Sequence, residues 1–240
     1  MLTNTECTEQ FGAMSGCESV LTALRMHEAD ADVSAALLRV LKHAVAGSGT
    51  SGKANSDNAS RKFFAKANGV APVMATLLRY EKNPDIVEPG CHVIQHTASA
   101  SNEIATEFGS AGAMNLLSRC LQIGAATKNA RVCCAASGAV AVLTSCVDTN
   151  KRLFHKADGM KALCKVLDKH IANANVCAQA CAAMCNAMQG DNDDNTFGHW
   201  QRPATPARGA NQLKTCRERE GIRYVWDKCM TVCGISKASV

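Results

Sequence analysis

Aromatic residues are scarce in this chain of 240 residues: six Phe, two Tyr and two Trp make up 4% of it. Because β-branched and aromatic side chains fill the pleated surfaces of sheets, this scarcity argues against a β-sandwich. No apolar run is long enough to cross a bilayer. The N-terminal segment "MLTNTECTEQFG" lacks the basic start and apolar core of a secretory signal. We therefore expect a cytoplasmic protein without membrane contact, with cytoskeletal or flagellar association left open.

A strong charge of either sign is also absent. The formal net charge is +5, and charged residues make up 20% of the chain, which falls short of the basic surfaces of nucleic-acid-binding domains. Cysteine is instead abundant, with 14 residues. Without an export signal these are expected to be reduced thiols that pack as small apolar side chains. Small side chains in quantity suit closely packed helices, so we expect an all-α fold.

A glycine followed by an apolar helical stripe occurs four times, in "SGCESVLTAL", "NGVAPVMATLL", "AGAMNLLSRCL" and "ADGMKALCKVL". In each segment apolar residues stand four, five and eight positions after the glycine, which makes one stripe of an amphipathic helix. The glycine is expected to permit a chain reversal that a side chain would hinder. The glycines, spaced by 53, 43 and 47 residues, are Gly16, Gly69, Gly112 and Gly159.

A second, longer apolar segment follows each of these helices. This segment starts 17 residues after the glycine in the first, second and fourth repeats, and 20 residues after it in the third. We expect the loop "IGAATKN" to contain the three extra residues of the third repeat. A short amphipathic piece precedes the glycine, as in "SRKFFAKANG" and "NKRLFHKADG". Each unit is therefore predicted to contain a short helix, a helix and a longer helix. The longer helices begin their apolar stripes at Val33, Ile86, Val132 and Val176.

A three-helix unit of this length is typical of armadillo and HEAT arrays. The segment "NGVAPVMATLL" has Pro72 three residues after Gly69, and "VCAQACAAMCNAM" has Asn186 in the place of a characteristic asparagine. In these features the chain resembles the armadillo repeat family over residues 4–190. The resemblance implies a right-handed α-solenoid of armadillo-like three-helix repeats, with about four full repeats and a partial fifth.

The whole chain, 1–240, is interpreted as one solenoid domain interrupted by two polar segments. These segments, 47–60 and 190–210, are interpreted as loop insertions between repeats, since long loops add little closure entropy. The stretch 211–233 is interpreted as a partial terminal repeat. Its uncapped flank would be open to end-to-end association, because terminal repeats of solenoids normally need a polar cap.

In the armadillo family the long helix of each repeat lines the concave surface. The resemblance assigns the family's asparagine position to His43, His96, Val142 and Asn186, and a position four residues earlier to Arg39, His92, Gly138 and Ala182. No tryptophan stands at the earlier position, so the nuclear-import type of peptide recognition is not matched. The candidate residues for partner binding along the groove are Arg39, His43, His92, His96 and Asn186.

No constellation of residues predicts catalysis, a metal or a cofactor. The spacing of Cys177, Cys181 and Cys185 is interpreted as a core stripe, because zinc ligands usually come from turns with short spacing. His92 and His96 share a helix face, but no Glu follows the first of them as a zinc protease requires. We therefore expect a protein that is not an enzyme.

Two functions remain open on this sequence. The first is a non-catalytic scaffold or adaptor that binds another protein or a peptide segment along the concave groove. The alternative is an RNA-binding helical-repeat protein, which would need stacking aromatics or arginines along the inner helices. Only Arg39 meets that requirement, so nucleic acid is the less favoured partner.

Overall fold

The structure is a computed structural model that describes residues 10–11, 14–46, 59–145 and 147–189. All regular secondary structure in these ranges is helical, which confirms the all-α prediction. In chain order the helices are α1 Gly16–Met26, α2 Ala31–Ala46, α3 Ala59–Lys66, α4 Val70–Arg79, α5 Pro84–Ala98, α6 Asn102–Ser110, α7 Ala113–Ala126, α8 Ala130–Ser145, α9 Asp148–Lys156, α10 Gly159–His170 and α11 Ala174–Met188.

These helices follow the predicted order of short, intermediate and long. Helices α3, α4 and α5 contain 8, 10 and 15 residues. The next three contain 9, 14 and 16 residues, and the last three contain 9, 12 and 15. Helices α1 and α2 supply the intermediate and long members of the first unit, with 11 and 16 residues.

Equivalent helices of successive units lie side by side. The long helices pack in the order α2, α5, α8 and α11, and the intermediate helices in the order α1, α4, α7 and α10. One continuous apolar core runs through the units and includes Val73, Leu116 and Leu163, each at most 1% exposed. The described part of the chain therefore has a helical, repeat-like fold in which the units share one interior.

Each long helix begins at a polar cap in an equivalent position. The cap side chain accepts a hydrogen bond from a backbone N–H two or three residues later, at 3.0 Å in α2 and α5 and 3.2 Å in α8 and α11. Satisfying an otherwise unpaired amide in this way is worth roughly 1 kcal/mol. The four caps are Asp30, Asn83, Asn129 and Asn173.

The repeated glycine does not make the chain reversal that we expected of it. At Gly69 the backbone lies in the right-handed region, with φ −69°. The left-handed residue is the one before the glycine, with φ 50° at Asn68 and 54° at Ser15 and Asp158. Only in the third unit does the glycine itself, Gly112, take a positive φ of 88°.

The glycine instead makes room for a phenylalanine five residues earlier. A Cβ at Gly69 would lie 2.5 Å from the ring of Phe64, much closer than carbon atoms can approach. Two other units repeat this contact, at 2.4 and 2.3 Å. The pairs are Gly16 with Phe11 and Gly159 with Phe154.

The prediction that a loop holds the three extra residues of the third unit is wrong. Helix α7 has 14 residues, against 10 in α4 and 12 in α10, and it includes the "IGAA" of the expected loop. Helix α7 can continue beside α8 because Gly124 has no side chain there. A Cβ on Gly124 would lie 2.9 Å from the sulfur of Cys133.

The polar insertions and the terminal repeat fall largely outside the described residues. Helix α3 begins at Ala59, so the last two residues of the predicted insertion 47–60 are helical. The rest of that insertion, together with 190–210 and 211–233, lies outside the described ranges. The expected end-to-end association through 211–233 therefore stays a prediction.

Most of the described cysteines are reduced thiols that pack in or against the core. Eight of them form no disulfide, whereas Cys181 is disulfide-bonded, which departs from the expectation that all are reduced. Burial raises the pKa of Cys120 and Cys133 to about 12, so these thiols are poor nucleophiles. Of the three cysteines of the predicted core stripe on α11, Cys181 and Cys185 are buried and Cys177 is half-buried.

Candidate functional site

The candidate site is the polar face of α2, α5, α8 and α11, called here the long-helix row. These helices pack in that order, so their equivalent positions form rows that cross from one unit to the next. Helix α8 is mostly buried. Polar side chains of α5 and α11 are half-buried along the row, and those of α2 are more exposed.

A carboxylate on α5 ties three helices of the row together. One oxygen of Glu88 accepts from Lys42 Nζ of α2 at 2.7 Å and lies 3.3 Å from His92 Nε2. Its other oxygen accepts from Arg131 of α8 at 3.2 Å. Burial opposes ionisation of Glu88, but the hydrogen bond and charge of Lys42, with Arg131 and His92, outweigh it and lower the pKa. The charges of this cluster are therefore largely satisfied internally.

The two histidines of α5 form a stacked pair beside this carboxylate. The rings of His92 and His96 lie 6.1 Å apart at 18°. Burial lowers the pKa of His92, and the charge of Lys42 acts in the same direction. Burial, with the charges of His92, Arg61 and Lys42, lowers the pKa of His96 to about 4. The pair is therefore uncharged near neutral pH.

Glutamines from the two units on either side of α8 approach the same glycine in the middle of the row. A Cβ on Gly138 of α8 would lie 2.9 Å from Oε1 of Gln95 and 3.1 Å from Oε1 of Gln179. Gln95 stands on α5 and Gln179 on α11, so the missing side chain lets carboxamides from both sides approach across α8. The centre of the row is thus uncharged but rich in hydrogen-bonding groups.

Asn186 of α11 is held against the preceding unit. Its Nδ2 donates to the carbonyl oxygen of Ala141 in α8 at 2.8 Å. One hydrogen-bonding group of the side chain therefore links two long helices. The amide also has an oxygen that can accept from a ligand.

The five predicted groove residues do not form one pocket. Arg39 and His43 are exposed on α2, whereas His92 and His96 stack on each other and are half-buried. Asn186 lies on α11, two helix spacings from α5, or roughly 16–20 Å at the usual interaxial distance. The structure distributes these residues along the row and brings only the histidine pair into contact.

Sequence reasoning missed the groups that connect the helices of the row. Lys42, Glu88 and Arg131 are separated by 46 and 43 residues, close to the repeat spacing. Alternating charge at repeat-spaced positions was the available signal. Gln95 and Gln179 gave no such signal, because their approach depends on the missing side chain of Gly138.

The described residues contain no group of three or more His, Cys, Asp or Glu side chains that could hold a metal ion. Within the same ranges, no helix has the length and apolar character needed to cross a bilayer. What the row offers chemically is recognition, through carboxamides, neutral imidazoles and paired charges.

Comparison with known proteins shows likeness at the level of fold. No family model matches the chain, and no curated protein matches it. A crystal structure of an engineered protein from the Northeast Structural Genomics Consortium is similar, with 18% identity, a TM-score of 0.62, and coverage of 92% of this chain and 90% of that one. A second engineered protein from the same consortium shows 18% identity and a TM-score of 0.51 over 73% of this chain and 48% of the other. Both likenesses concern the fold alone.

Proposed function

We propose that this chain is an armadillo-like solenoid and a non-catalytic cytoplasmic scaffold, which binds an extended segment of another protein along the long-helix row. The proposal rests above all on the approach of two carboxamides, Gln95 and Gln179, to the backbone at Gly138 from either side. A carboxamide both donates and accepts hydrogen bonds, as does each peptide unit of an extended main chain. Two carboxamides in the middle of the row are therefore suited to hydrogen bonding with the main chain of a bound polypeptide.

The charges along the row also favour a polypeptide over RNA. Lys42 and Arg131 are already paired with Glu88, and the histidine pair is uncharged near neutral pH. RNA binding depends on cations that neutralise phosphates. Arg39, which is exposed on α2, is a single group of that kind. An RNA affinity that falls steeply with salt would support the alternative.

A photo-crosslinking side chain placed in the row tests the proposal. We expect a crosslinker at Val142 of α8 to capture a partner protein from native extract. The same group at the exposed Gln122 of α7, on the intermediate helices, should not capture that partner. Equal capture from both positions would mean that the row is not the binding surface.

The identified partner then allows a quantitative test with purified proteins. Replacing Gln95 and Gln179 with Ala removes about two hydrogen bonds of roughly 1 kcal/mol each, so we expect about 30-fold weaker binding. Replacing His92 and His96 with Ala should also weaken binding while helicity is retained. Gln122→Ala is the matched control and should bind as the wild type does. Unchanged affinity in the Gln95 and Gln179 variant would refute the assignment of these carboxamides.

A further inference from the structure

A second surface, separate from the long-helix row, lies on the intermediate helix of the last described unit. Lys161, Lys165 and Lys169 stand at intervals of four residues on α10, and all three are exposed. They form one stripe with about 6 Å between neighbouring positions, as the rise of 1.5 Å per residue requires. In this unit the intermediate helix therefore presents a line of positive charge.

Earlier units use cations in the intermediate helices to join neighbouring units. Arg79 of α4 lies 3.6 Å from Glu28, and Arg119 of α7 lies 2.8 Å from Glu81. Each of these glutamates comes from the turn of the preceding unit, two residues before the cap of its long helix. The cations of α4 and α7 thus have a partner within the fold.

This pairing does not continue into the last described unit. In the third unit, Thr127 stands two residues before the cap of the long helix, at the position that Glu28 and Glu81 occupy in the earlier units. The next residue is Lys128, so this turn offers no carboxylate to α10. Within the described ranges none of the three lysines of α10 makes an ion pair, although Asp168 lies on the same helix. The stripe therefore has no evident role in joining units.

We propose that the lysine stripe of α10 is a docking surface for an extended acidic segment of a partner protein. Alternate side chains of an extended chain lie about 6.6 Å apart on one face, close to the spacing of the lysines. Acidic residues at every second position could thus each meet one lysine. At its end the stripe reaches a shallow concavity of about 480 Å³ at the α10–α11 turn, lined by Lys169, Asn173 and Asn175 among others.

The same stripe is a poor platform for RNA or a membrane. Helices α9 and α10 carry no exposed Phe, Tyr or Trp side chain on which a base could stack: Phe154 is buried, His170 is 8% exposed and His155 is half-buried. Among the residues that the structure describes, Ile171 is the one large apolar side chain exposed beside the stripe, which is less than a membrane-binding helix needs.

Binding of a labelled deca-glutamate peptide to the full chain tests this proposal. We expect measurable binding at low salt that weakens as salt is added. Changing Lys161, Lys165 and Lys169 together to Gln should weaken it about tenfold or more, since exposed charge pairs contribute modestly and add up. The matched control replaces three exposed lysines of another unit, Lys62, Lys66 and Lys82, with Gln and should change affinity less than twofold.

Three outcomes would overturn the proposal. The first is no binding of the peptide at low salt, and the second is an equal loss in the control variant. The third is tighter binding of single-stranded oligouridine or of anionic lipid vesicles through the same lysines, because the occupant would then be RNA or a membrane. The thermal unfolding of the Lys161, Lys165 and Lys169 variant, measured by circular dichroism, should match that of the wild type, since these three side chains are exposed and make no ion pair within the described ranges.

Discussion

Replacing Gly69 with Ala sets two physical effects of opposite sign against each other. The backbone at Gly69 has φ −69° and ψ −21°, which alanine adopts without strain. On that ground alone, the loss of glycine's freedom in the unfolded chain would stabilise the protein by about 0.4–1 kcal/mol. The close contact with the ring of Phe64 instead predicts that the substitution destabilises the protein.

The contact with Phe64 should decide the outcome. The added Cβ would lie 2.5, 2.6 and 2.7 Å from three ring carbons, where about 3.5–4 Å is needed. The ring cannot easily yield, because it is fully buried and stacks on Phe108 at 6.4 Å. We therefore expect Gly69→Ala to destabilise the protein by about 1–3 kcal/mol, the usual cost of overpacking. The melting temperature should fall by about 2–4 °C for each kcal/mol.

Urea denaturation of four proteins measures the effect. They are the wild type, Gly69→Ala, Phe64→Leu and the double variant, whose free energies of unfolding form a double-mutant cycle. In the Phe64→Leu background, Gly69→Ala should cost much less. A Gly69→Ala protein as stable as the wild type, or a cycle with no coupling, would refute the assigned role of this glycine. Gly112→Ala should lower stability by about 1–2 kcal/mol without coupling to a ring, because its φ is 88° and no atom lies within 4 Å.

Two further predictions concern the half-buried histidine pair and a buried asparagine. His96 has a pKa of about 4 in the folded chain, below the 6.5 of an unperturbed imidazole. Between those values the unfolded chain binds more protons, so stability should fall as the pH drops from 6.5 to 4. His96→Gln should flatten that dependence in urea titrations; a slope as steep as that of the wild type would contradict the assignment. Asn150 donates from Nδ2 to the carbonyl oxygens of Ala105 at 2.9 Å and Leu143 at 3.0 Å, and it is 1% exposed. Asn150→Ala should therefore lower the free energy of unfolding, measured by urea denaturation, by about 1–3 kcal/mol. The control Asn102→Ala, at an exposed position, should lower it by less than about 0.5 kcal/mol. Similar losses of stability in both variants would argue against the buried hydrogen bonds of Asn150.

The sequence alone could predict which segments form helices, because helical periodicity is a local property. Apolar residues spaced four, five and eight positions after each glycine indicate a buried stripe, whatever lies against it. The cores around Val73, Leu116 and Leu163 confirm this pattern. The caps Asp30, Asn83, Asn129 and Asn173 were a further local signal, because a capping side chain binds the first turn of its own helix.

The place of the extra turn in the third unit could not be inferred in the same way. The segment "IGAATKN" combines small and polar residues, which local rules assign to a loop. The helical conformation of its first four residues depends on α8, because only a residue without a side chain fits beside the sulfur of Cys133. The role of Gly69 is similar, since its neighbour Phe64 stands on another helix.

The sequence by itself determined that the described chain is helical and that its helices recur in similar units, because both follow from spacing along the chain. The tertiary structure alone decided which side chains meet across units. Glu88 pairs with Lys42 and Arg131, and Gln95 and Gln179 both approach Gly138. Partners more than 40 residues apart in repeats of unequal length can be matched only when the register of stacking is known. The polar face on which the proposed function depends is therefore a product of packing between units.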